Sequence, residues 1–382
     1  MMRRILVLTG KRGGFGAMKP MLRLFRDDPD ITFQLVVTDQ HVSQKFGMTV
    51  KEVMQEFDIA ASVDMEQEGD LPYQRSRALG VCLTKMSEVL NNLNPDICVL
   101  YGDRGEVLAT AVAATNMSIP IAHIQGGDLS GSVDEQVRHA VTKLSHLHFP
   151  STFDSAERIR KMGEEDWRIH QVGDNHIDLI VAKQFASAEE VSCHLDLDLN
   201  KPIIVVLQHS ETTAPDESYN QMKETLDAVK DVANAQIVVV HPCSDVGYAG
   251  VITAIEELAI GPNFRVRVNL DAHFFWGLLS IASVLVGNSS AGIVETPSFR
   301  LPTVNVGRRQ EGRLHAENVI HVSHDKREIA EAINKALSDE SFKKNVKNCA
   351  QPYGDGRAGE RIYKALKEVA LNKDLLVKRM TY

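Results

Sequence analysis

At 382 residues and 43% hydrophobic composition, the chain is too long for one ordinary core and supports two domains of roughly 150 to 200 residues each. Its formal net charge of -9 argues against a general nucleic-acid binder, because phosphate backbones demand a basic surface, although local basic clusters remain able to hold a small anion. Five scattered cysteines, Cys82, Cys98, Cys193, Cys243 and Cys349, form no CxxC pair and read as reduced thiols of a cytosolic protein.

The first apolar run, Ile5 to Leu8, stops at Gly10-Lys11-Arg12, too soon for a signal peptide. No later stretch approaches the roughly 20 apolar residues of a membrane span. A soluble, cytoplasmic protein without a membrane partner is expected. Short β-branched runs follow in order: Arg4 to Thr9, Phe33 to Thr38, Asp96 to Tyr101, Ile119 to Ile124, Ile203 to Leu207, Ile237 to Val240, Val284 to Val286 and Thr303 to Val306. Between them, helical patterns cover Ser76 to Leu93, Val133 to Leu147, Ser218 to Ala233 and Lys326 to Leu337. Such alternation predicts an α/β protein, with parallel sheets covered by helices on both faces. The rhythm pauses from Gly173 to Leu199, which puts a domain boundary near Gly173 to Ile177. A last helix, from Ala358 to about Lys373, is able to cap either domain.

Nearly every polar or glycine-rich cluster follows a predicted strand. Gly10 to Gly14, Gly102-Asp103-Arg104 and Gln125-Gly126-Gly127-Asp128 do so in the first half. His209-Ser210-Glu211, His241-Pro242, Gly287-Asn288-Ser289-Ser290 and Gly307-Arg308-Arg309 do so in the second. Open parallel sheets bind ligands at the carboxyl ends of their strands, so each half is expected to carry one functional edge, and an interdomain cleft results if the edges face each other. The plain alternative is that loops are simply polar.

Gly10 to Gly16 matches neither GxGxxG nor a P-loop, but it permits close approach of an anion, with Arg12 and Lys19 as charge partners. Gly287-Asn288-Ser289-Ser290-Ala291-Gly292 is a stronger phosphate candidate, since it opens a helical turn that ends in Glu295, a carboxylate suited to a ribose diol. The serines serve equally well as helix caps. Ser132 and Glu135 form a capping box for the helix that follows, and Asp134 and Arg138, four residues apart, share one side of it. On an exposed surface that pair carries no function; in a cleft it holds a carboxylate ionised and aimed. No histidine spacing indicates zinc. His139, His146 and His148 read as packing or surface residues, whereas His209 and His241 each close a strand at the ligand edge.

Together these stretches resemble the hydrolysing UDP-N-acetylglucosamine 2-epimerases, which make N-acetylmannosamine or its 4-acetamido relatives for sialic- and legionaminic-acid-like sugars. The matching text runs through almost the whole chain: Thr9 to Arg12, Gly47-Met48-Thr49-Val50-Lys51-Glu52, Gly102-Asp103-Arg104, His123 to Asp128, Ser130 to Glu135 with Arg138-His139-Ala140, Gly287 to Ile293, and Asn305 to Arg313. The resemblance implies a glycosyltransferase-B-like fold: a first Rossmann-like domain over residues 1–175, joined by a returning helix over 358–382, and a UDP-binding domain over 176–357. It implies expulsion of UDP by cleavage of the C1–O bond, passage through a 2-acetamidoglucal, and addition of water with inversion at C2.

By the same resemblance Asp103 and Asp134 are catalytic carboxylates and Arg138 orients Asp134. His209 and Arg12 stabilise the departing diphosphate, and Asn288, Ser289, Ser290, Gly292 and Glu295 hold the UDP moiety. Lys19, His241 and Arg313 are further candidates for UDP. No metal or cofactor is required, and a homodimer or homotetramer is implied. Two departures stand out. Most members carry glutamate where this chain has Gln125, whose amide exchanges no proton at neutral pH. The usual acidic residue after the first arginine motif is replaced by Gly13-Gly14, which bears on sugar specificity more than on UDP. A non-hydrolysing epimerase, a glycosyltransferase and a catalytically silent UDP-sugar-binding protein are the rival readings.

Overall fold

The computed structural model describes residues 2–44, 47–69, 71–130, 133–243 and 245–382. The chain divides into two compact units. One comprises Met1–Asp128, Asp134–Leu179 and Tyr353–Tyr382; the other comprises Ile180–Pro352 with the short stretch Leu129–Val133. The first is built on β1 (Arg3–Thr9), β2 (Ile31–Thr38), β3 (Ile59–Val63), β4 (Ile97–Tyr101), β5 (Ile121–Ile124) and β6 (Leu147–Phe149). These pair in the order β3-β2-β1-β4-β5-β6, all parallel. The second unit contains β7 (Ile203–Val206), β8 (Gln236–Val240), β9 (Phe264–Arg267), β10 (Val284–Gly287), β11 (Thr303–Val306) and β12 (Val319–Val322), in the parallel order β12-β11-β10-β7-β8-β9.

Counted from its own first strand, each sheet has the same order, the doubly wound Rossmann arrangement. The strand order therefore reverses between β1 and β4 in one unit and between β7 and β10 in the other. These are the two places where adjacent loops part and leave room above the strand ends. The eight runs expected from sequence are the eight interior strands. The four it did not single out, β3, β6, β9 and β12, are the four edges. An interior strand is apolar on both faces, whereas β9 and β12 are mostly half-exposed and β6 is only three residues long.

Alternation along the strands sorts the first core into two layers. Ile5 and Val7 of β1 pack with Met18, Met21, Leu22 and Phe25 of the helix Arg12–Asp27 and with Ile362 and Leu366 of the helix Ala358–Glu368. Leu6 and Leu8 face the opposite layer, with Cys82, Met86 and Leu90 of the helix Pro72–Leu93 and Ala111 and Ala114 of the helix Gly105–Asn116. In the second unit, Ile204, Val206, Ile237, Val239, Val284, Val286, Val304 and Val306 form the floor for the helices Ser218–Val229, Tyr248–Leu258 and Lys326–Ser338. No helix among the described residues is long and apolar enough to cross a membrane.

The returning C-terminal segment is fastened to the first unit by polar contacts. Asp178 accepts the backbone N–H groups of Ala358 and Gly359 at 2.9 and 2.7 Å, which satisfies two of the helix's orphan donors. Asp28 accepts from Tyr363 Oη and Lys367 Nζ, both at 2.6 Å. The buried Arg168 donates to the carbonyls of Leu375, Asp374 and Val377 at 2.8, 2.8 and 3.1 Å. Glu164, also buried, accepts from Lys143 at 2.6 Å and His148 at 3.1 Å, and pairs with Lys378 of the tail at 2.7 Å.

Burial of Glu164 would push its carboxyl up, but His148, Lys143 and Lys378 outweigh it and hold the group down at about 2. A depressed carboxyl stabilises the fold above its unfolded value, and that stability is lost as pH falls through the folded one. The contribution is therefore full above about pH 5 and is lost between about pH 5 and 2, a span worth on the order of 3 kcal/mol. Glu164→Gln should cost at least about 2 kcal/mol at neutral pH, because it leaves Lys143 and Lys378 without the buried counter-charge they share, and should flatten the acid limb of stability against pH. Thermal melts of both proteins from pH 7 down to 3 check this.

Candidate active site

At the carboxyl edge of the first sheet, Tyr101 ends β4 and Gly102-Asp103 turns the chain outward. Asp103 is ion-paired with Arg138, which comes from the helix Asp134–Leu144, and Arg138 also donates to the Asp128 carbonyl at 2.8 Å. Arg138 is almost fully buried, whereas the Asp103 side chain is 22% exposed, so the carboxylate reaches the surface with its counter-ion behind it. Spacing along the helix had suggested only Asp134 as the partner of Arg138; the tertiary structure gives it Asp103. Asp134 opens that helix, where the peptide dipole favours a negative charge. Ser132, read as its N-cap, lies outside the described residues.

His123 on β5 is fully buried and donates Nε2–H to the Gly102 carbonyl at 2.8 Å, with Nδ1 3.1 Å from Thr142 Oγ. Burial pushes it down to about 3, so it is neutral and holds the β4 loop in place. Gln125 follows β5 with a left-handed backbone, φ 63°. Its amide donates to the buried carboxylate of Asp174, which in turn binds His176. Asp174 and His176 were not among the residues singled out from sequence. Their stretch extends the sheet beyond β6 by a single bridge, His148 to Ile169, too brief to leave a strand pattern.

The turn after β1 is arranged differently from the expectation of two cations waiting for an anion. Arg12 is ion-paired with Glu52, and Lys19 lies 3.2 Å from Glu56 and over the Phe15 ring. Both cations thus have carboxylate partners from the segment that follows β2. A small cavity at the ends of β1 and β4 is lined by Thr9, Gly10, Lys11, Tyr101, Arg104 and Glu106 among others. Glu106 is buried against Arg104, and burial, with Asp39 adding to it, pushes its carboxyl up.

In the second unit the loops after β7 and β10 are locked together. His209 N–H donates to Asn288 Oδ1 at 2.7 Å, and Asn288 Nδ2 donates to the His209 carbonyl at 2.9 Å. Their crossing needs Gly287, since a Cβ there would stand 2.1 Å from the Leu207 carbonyl oxygen, and its φ of 136° lies outside the range of ordinary side chains. Cys243 N–H donates to His209 Nδ1 at 3.1 Å, which places the ring proton on Nε2 and makes that nitrogen a donor. Gln310 Nε2 donates to the Asn288 carbonyl at 3.0 Å, and Arg309 pairs with Asp245 at 3.2 Å.

Ser289 Oγ accepts the Ala291 N–H at 3.3 Å and so acts as a cap, while Ser290 makes no capping bond through its side chain. The helix they open is short, Ala291–Val294, and passes into a 3-10 turn at Thr296–Phe299. A Cβ on Gly292 would meet Thr303 Cγ2 at 2.8 Å, so this glycine lets the turn press against β11 rather than making room for a ligand. Glu295 is buried and accepts the Trp276 indole N–H at 2.6 Å. Arg313 donates to Gln310 Oε1 at 3.0 Å, beside the Asn288 loop. His241 closes β8, and burial lowers its basicity. Among the described residues no group of three or more His, Cys, Asp or Glu side chains is placed to hold a metal ion.

The family profile described as UDP-N-acetylglucosamine 2-epimerase matches residues 23–367. A Legionella pneumophila protein named UDP-N,N'-diacetylbacillosamine 2-epimerase (hydrolyzing) is 34% identical over the full length of both chains. A Campylobacter jejuni protein named GDP/UDP-N,N'-diacetylbacillosamine 2-epimerase (hydrolyzing) is 28% identical over 90% of this chain and 89% of its own. The crystal structure of UDP-GlcNAc 2-epimerase from Neisseria meningitidis bound to UDP-GlcNAc superposes with a TM-score of 0.81 at 18% identity, over 96% of this chain and 100% of the other, a likeness of fold. With two Rossmann-like domains of the glycosyltransferase-B kind and a profile match over most of its length, this chain is an enzyme of the UDP-N-acetylglucosamine 2-epimerase family.

Proposed function

We propose that the enzyme hydrolyses a UDP-linked 2-acetamido sugar with inversion at C2, releasing UDP and the free 2-epimer, and that its substrate is a 2,4-diacetamido sugar of the diacetylbacillosamine type. The hydrolysing outcome and the second acetamido group are both supported by the Legionella relative, whose name states them and whose length is matched throughout. The observation that carries the chemistry is the Asp103–Arg138 pair at the end of β4. An ionised carboxylate backed by a buried guanidinium is what proton transfer at a weakly acidic carbon needs.

In the proposed reaction the C2–H bond breaks toward a base, its electron pair forms the C1=C2 bond, and the C1–O bond breaks with its pair leaving on UDP. The product of that step is a 2-acetamidoglucal. Water then bonds to C1 while C2 takes a proton on the opposite face. The edge of the first sheet supplies the proton-transfer groups Asp103 and Asp134, with Arg138 positioning them. The edge of the second supplies UDP contacts: His209 as an Nε2–H donor to the diphosphate, Ser290 and the Asn288 loop around the phosphates, and Glu295 toward the ribose, with Arg313 and His241 beside them. Arg12 and Lys19 act on the diphosphate only by exchanging their glutamates for it.

Incubation with UDP-N,N'-diacetylbacillosamine or UDP-N-acetylglucosamine in deuterated water, followed by NMR, tests the reading. Free C2-deuterated manno-configured sugar and UDP are expected, faster from the diacetamido substrate; a product still linked to UDP would overturn the hydrolytic assignment. Asp103→Asn should lower kcat by at least about a hundredfold while calorimetry shows UDP affinity kept within about threefold. Asn288→Ala, which unlocks the loops after β7 and β10, should weaken UDP binding by about tenfold or more, measured the same way.

A further inference from the structure

Moving a carbon-bound proton off one face of a ring and onto the other takes two exchanging groups, and an amide at position 125 is not one. The amide of Gln125 instead donates to Oδ2 of Asp174, to which Ser151 Oγ also donates at 3.3 Å. The other oxygen, Oδ1, accepts Nδ1–H of His176 at 2.8 Å and the His176 backbone N–H at 2.9 Å. Tyr101 Oη, at the end of β4, lies 3.3 Å from the same ring nitrogen. Asp174 is fully buried, whereas the His176 side chain is 21% exposed. A carboxylate inside and an imidazole outside is the arrangement that fixes a tautomer and stabilises the imidazolium. With Nδ1 committed to Asp174, proton exchange with a substrate runs through Nε2.

Burial alone would push the Asp174 carboxyl up; the His176 ring, its backbone N–H and the Gln125 amide outweigh that and hold it below the usual carboxylate range. A glutamate at position 125 would bring a second carboxylate against Asp174, and two such neighbours do not both stay ionised. Gln125 is thus matched to an ionised Asp174.

We infer that His176, oriented by Asp174, is a catalytic acid-base group of this enzyme and exchanges the C2 proton that a glutamate at position 125 would otherwise handle. The inference rests on the 2-epimerase reading given above. In the elimination the C2 proton passes to His176 Nε2, the C–H pair closes the C1=C2 bond, and UDP leaves with the C1–O pair; the imidazolium is held by Asp174 and later yields its proton to solvent. In the hydration Asp103 or Asp134, after taking up a proton from solvent, passes it to C2 on the other face. Water bonds to C1 and returns a proton to that carboxylate.

Among the described residues, Asp174 and Tyr101 lie within hydrogen-bonding distance of the ring; Asp178 shares its helix Asn175–Val181, and Arg361, from the helix Ala358–Glu368, reaches the Val172 carbonyl at 2.9 Å. Asp178, pushed up to about 6 chiefly by burial, titrates in the range of a histidine, so the decisive comparison keeps Asp178 and removes the ring.

The experiment measures UDP release and C2 deuterium incorporation with UDP-N,N'-diacetylbacillosamine and UDP-N-acetylglucosamine for the unaltered enzyme, for His176→Asn and His176→Gln, for Asp174→Asn, and for the double variant Gln125→Glu with Asp174→Asn. Each is checked for its melting temperature and for UDP affinity. The His176 variants should lose at least about a hundredfold in kcat, keep UDP affinity within about threefold, and lack the acid limb of kcat/KM that the unaltered enzyme shows as the ring protonates. The double variant moves the carboxylate to position 125 and should recover at least about tenfold over Asp174→Asn alone. His176 variants that fold, turn over normally and keep the acid limb would overturn the assignment, as would a double variant no better than Asp174→Asn. If the unaltered enzyme releases no UDP from either sugar nucleotide, the 2-epimerase reading itself falls; if it turns over and the His176 variants match it, only the role of His176 falls.

Discussion

A parallel sheet covered on both faces leaves polar chemistry one place to go. Its interior strands must be apolar on both faces, as Ile5 to Leu8 of β1 and the strands β4, β7 and β10 are, and every crossover returns the chain to the same end, so the loops that leave the strands gather along one edge. Within each unit the order of strands then decides where along that edge there is room. Between β1 and β4, and between β7 and β10, successive loops turn away in opposite directions, and the Asp103 turn and the His209–Asn288 lock lie at these points. The core and the site are therefore two consequences of the same pairing.

What the groups at the first edge do is set by their surroundings rather than by their type. His123 and His176 both make a hydrogen bond at the end of β4, His123 with the Gly102 carbonyl and His176 with Tyr101 Oη. His123 is sealed in the core, stays neutral, and spends its N–H on a carbonyl. His176 is partly exposed and backed by a buried carboxylate, which is the setting of an exchanging group. The carboxylates divide likewise: Asp103 faces outward on a buried arginine, whereas Glu106 is enclosed and pushed toward its neutral form by burial and by Asp39. One short edge thus holds groups prepared for opposite protonation states, as chemistry that both takes and gives a proton requires.

The second edge is organised for rigidity. Asn288 contributes no charge, yet its side chain and carbonyl connect the His209 loop, Gln310 and Arg309, and the buried position forces all of these bonds to be satisfied within the protein. The backbone N–H of Cys243 then selects the His209 tautomer. Donors prearranged in this way lose little on meeting a phosphate group.

The sequence by itself determined the α/β class, the eight interior strands and the family, because burial on both sides writes a continuous apolar run and the loops after such runs carry recognisable text. It did not disclose the edge strands β3, β6, β9 and β12, which have one paired neighbour and little need of an apolar pattern. Nor did it disclose partners that meet across the fold. Arg138 could be matched with Asp134 along its own helix, but its contact with Asp103 spans 35 positions, and the Gln125–Asp174 contact spans 49. Arg12 and Lys19 read as open cations until the segment after β2 supplied Glu52 and Glu56. Only tertiary structure decides such pairs, since local periodicity records which face a residue occupies and carries no information about which distant residue will arrive there.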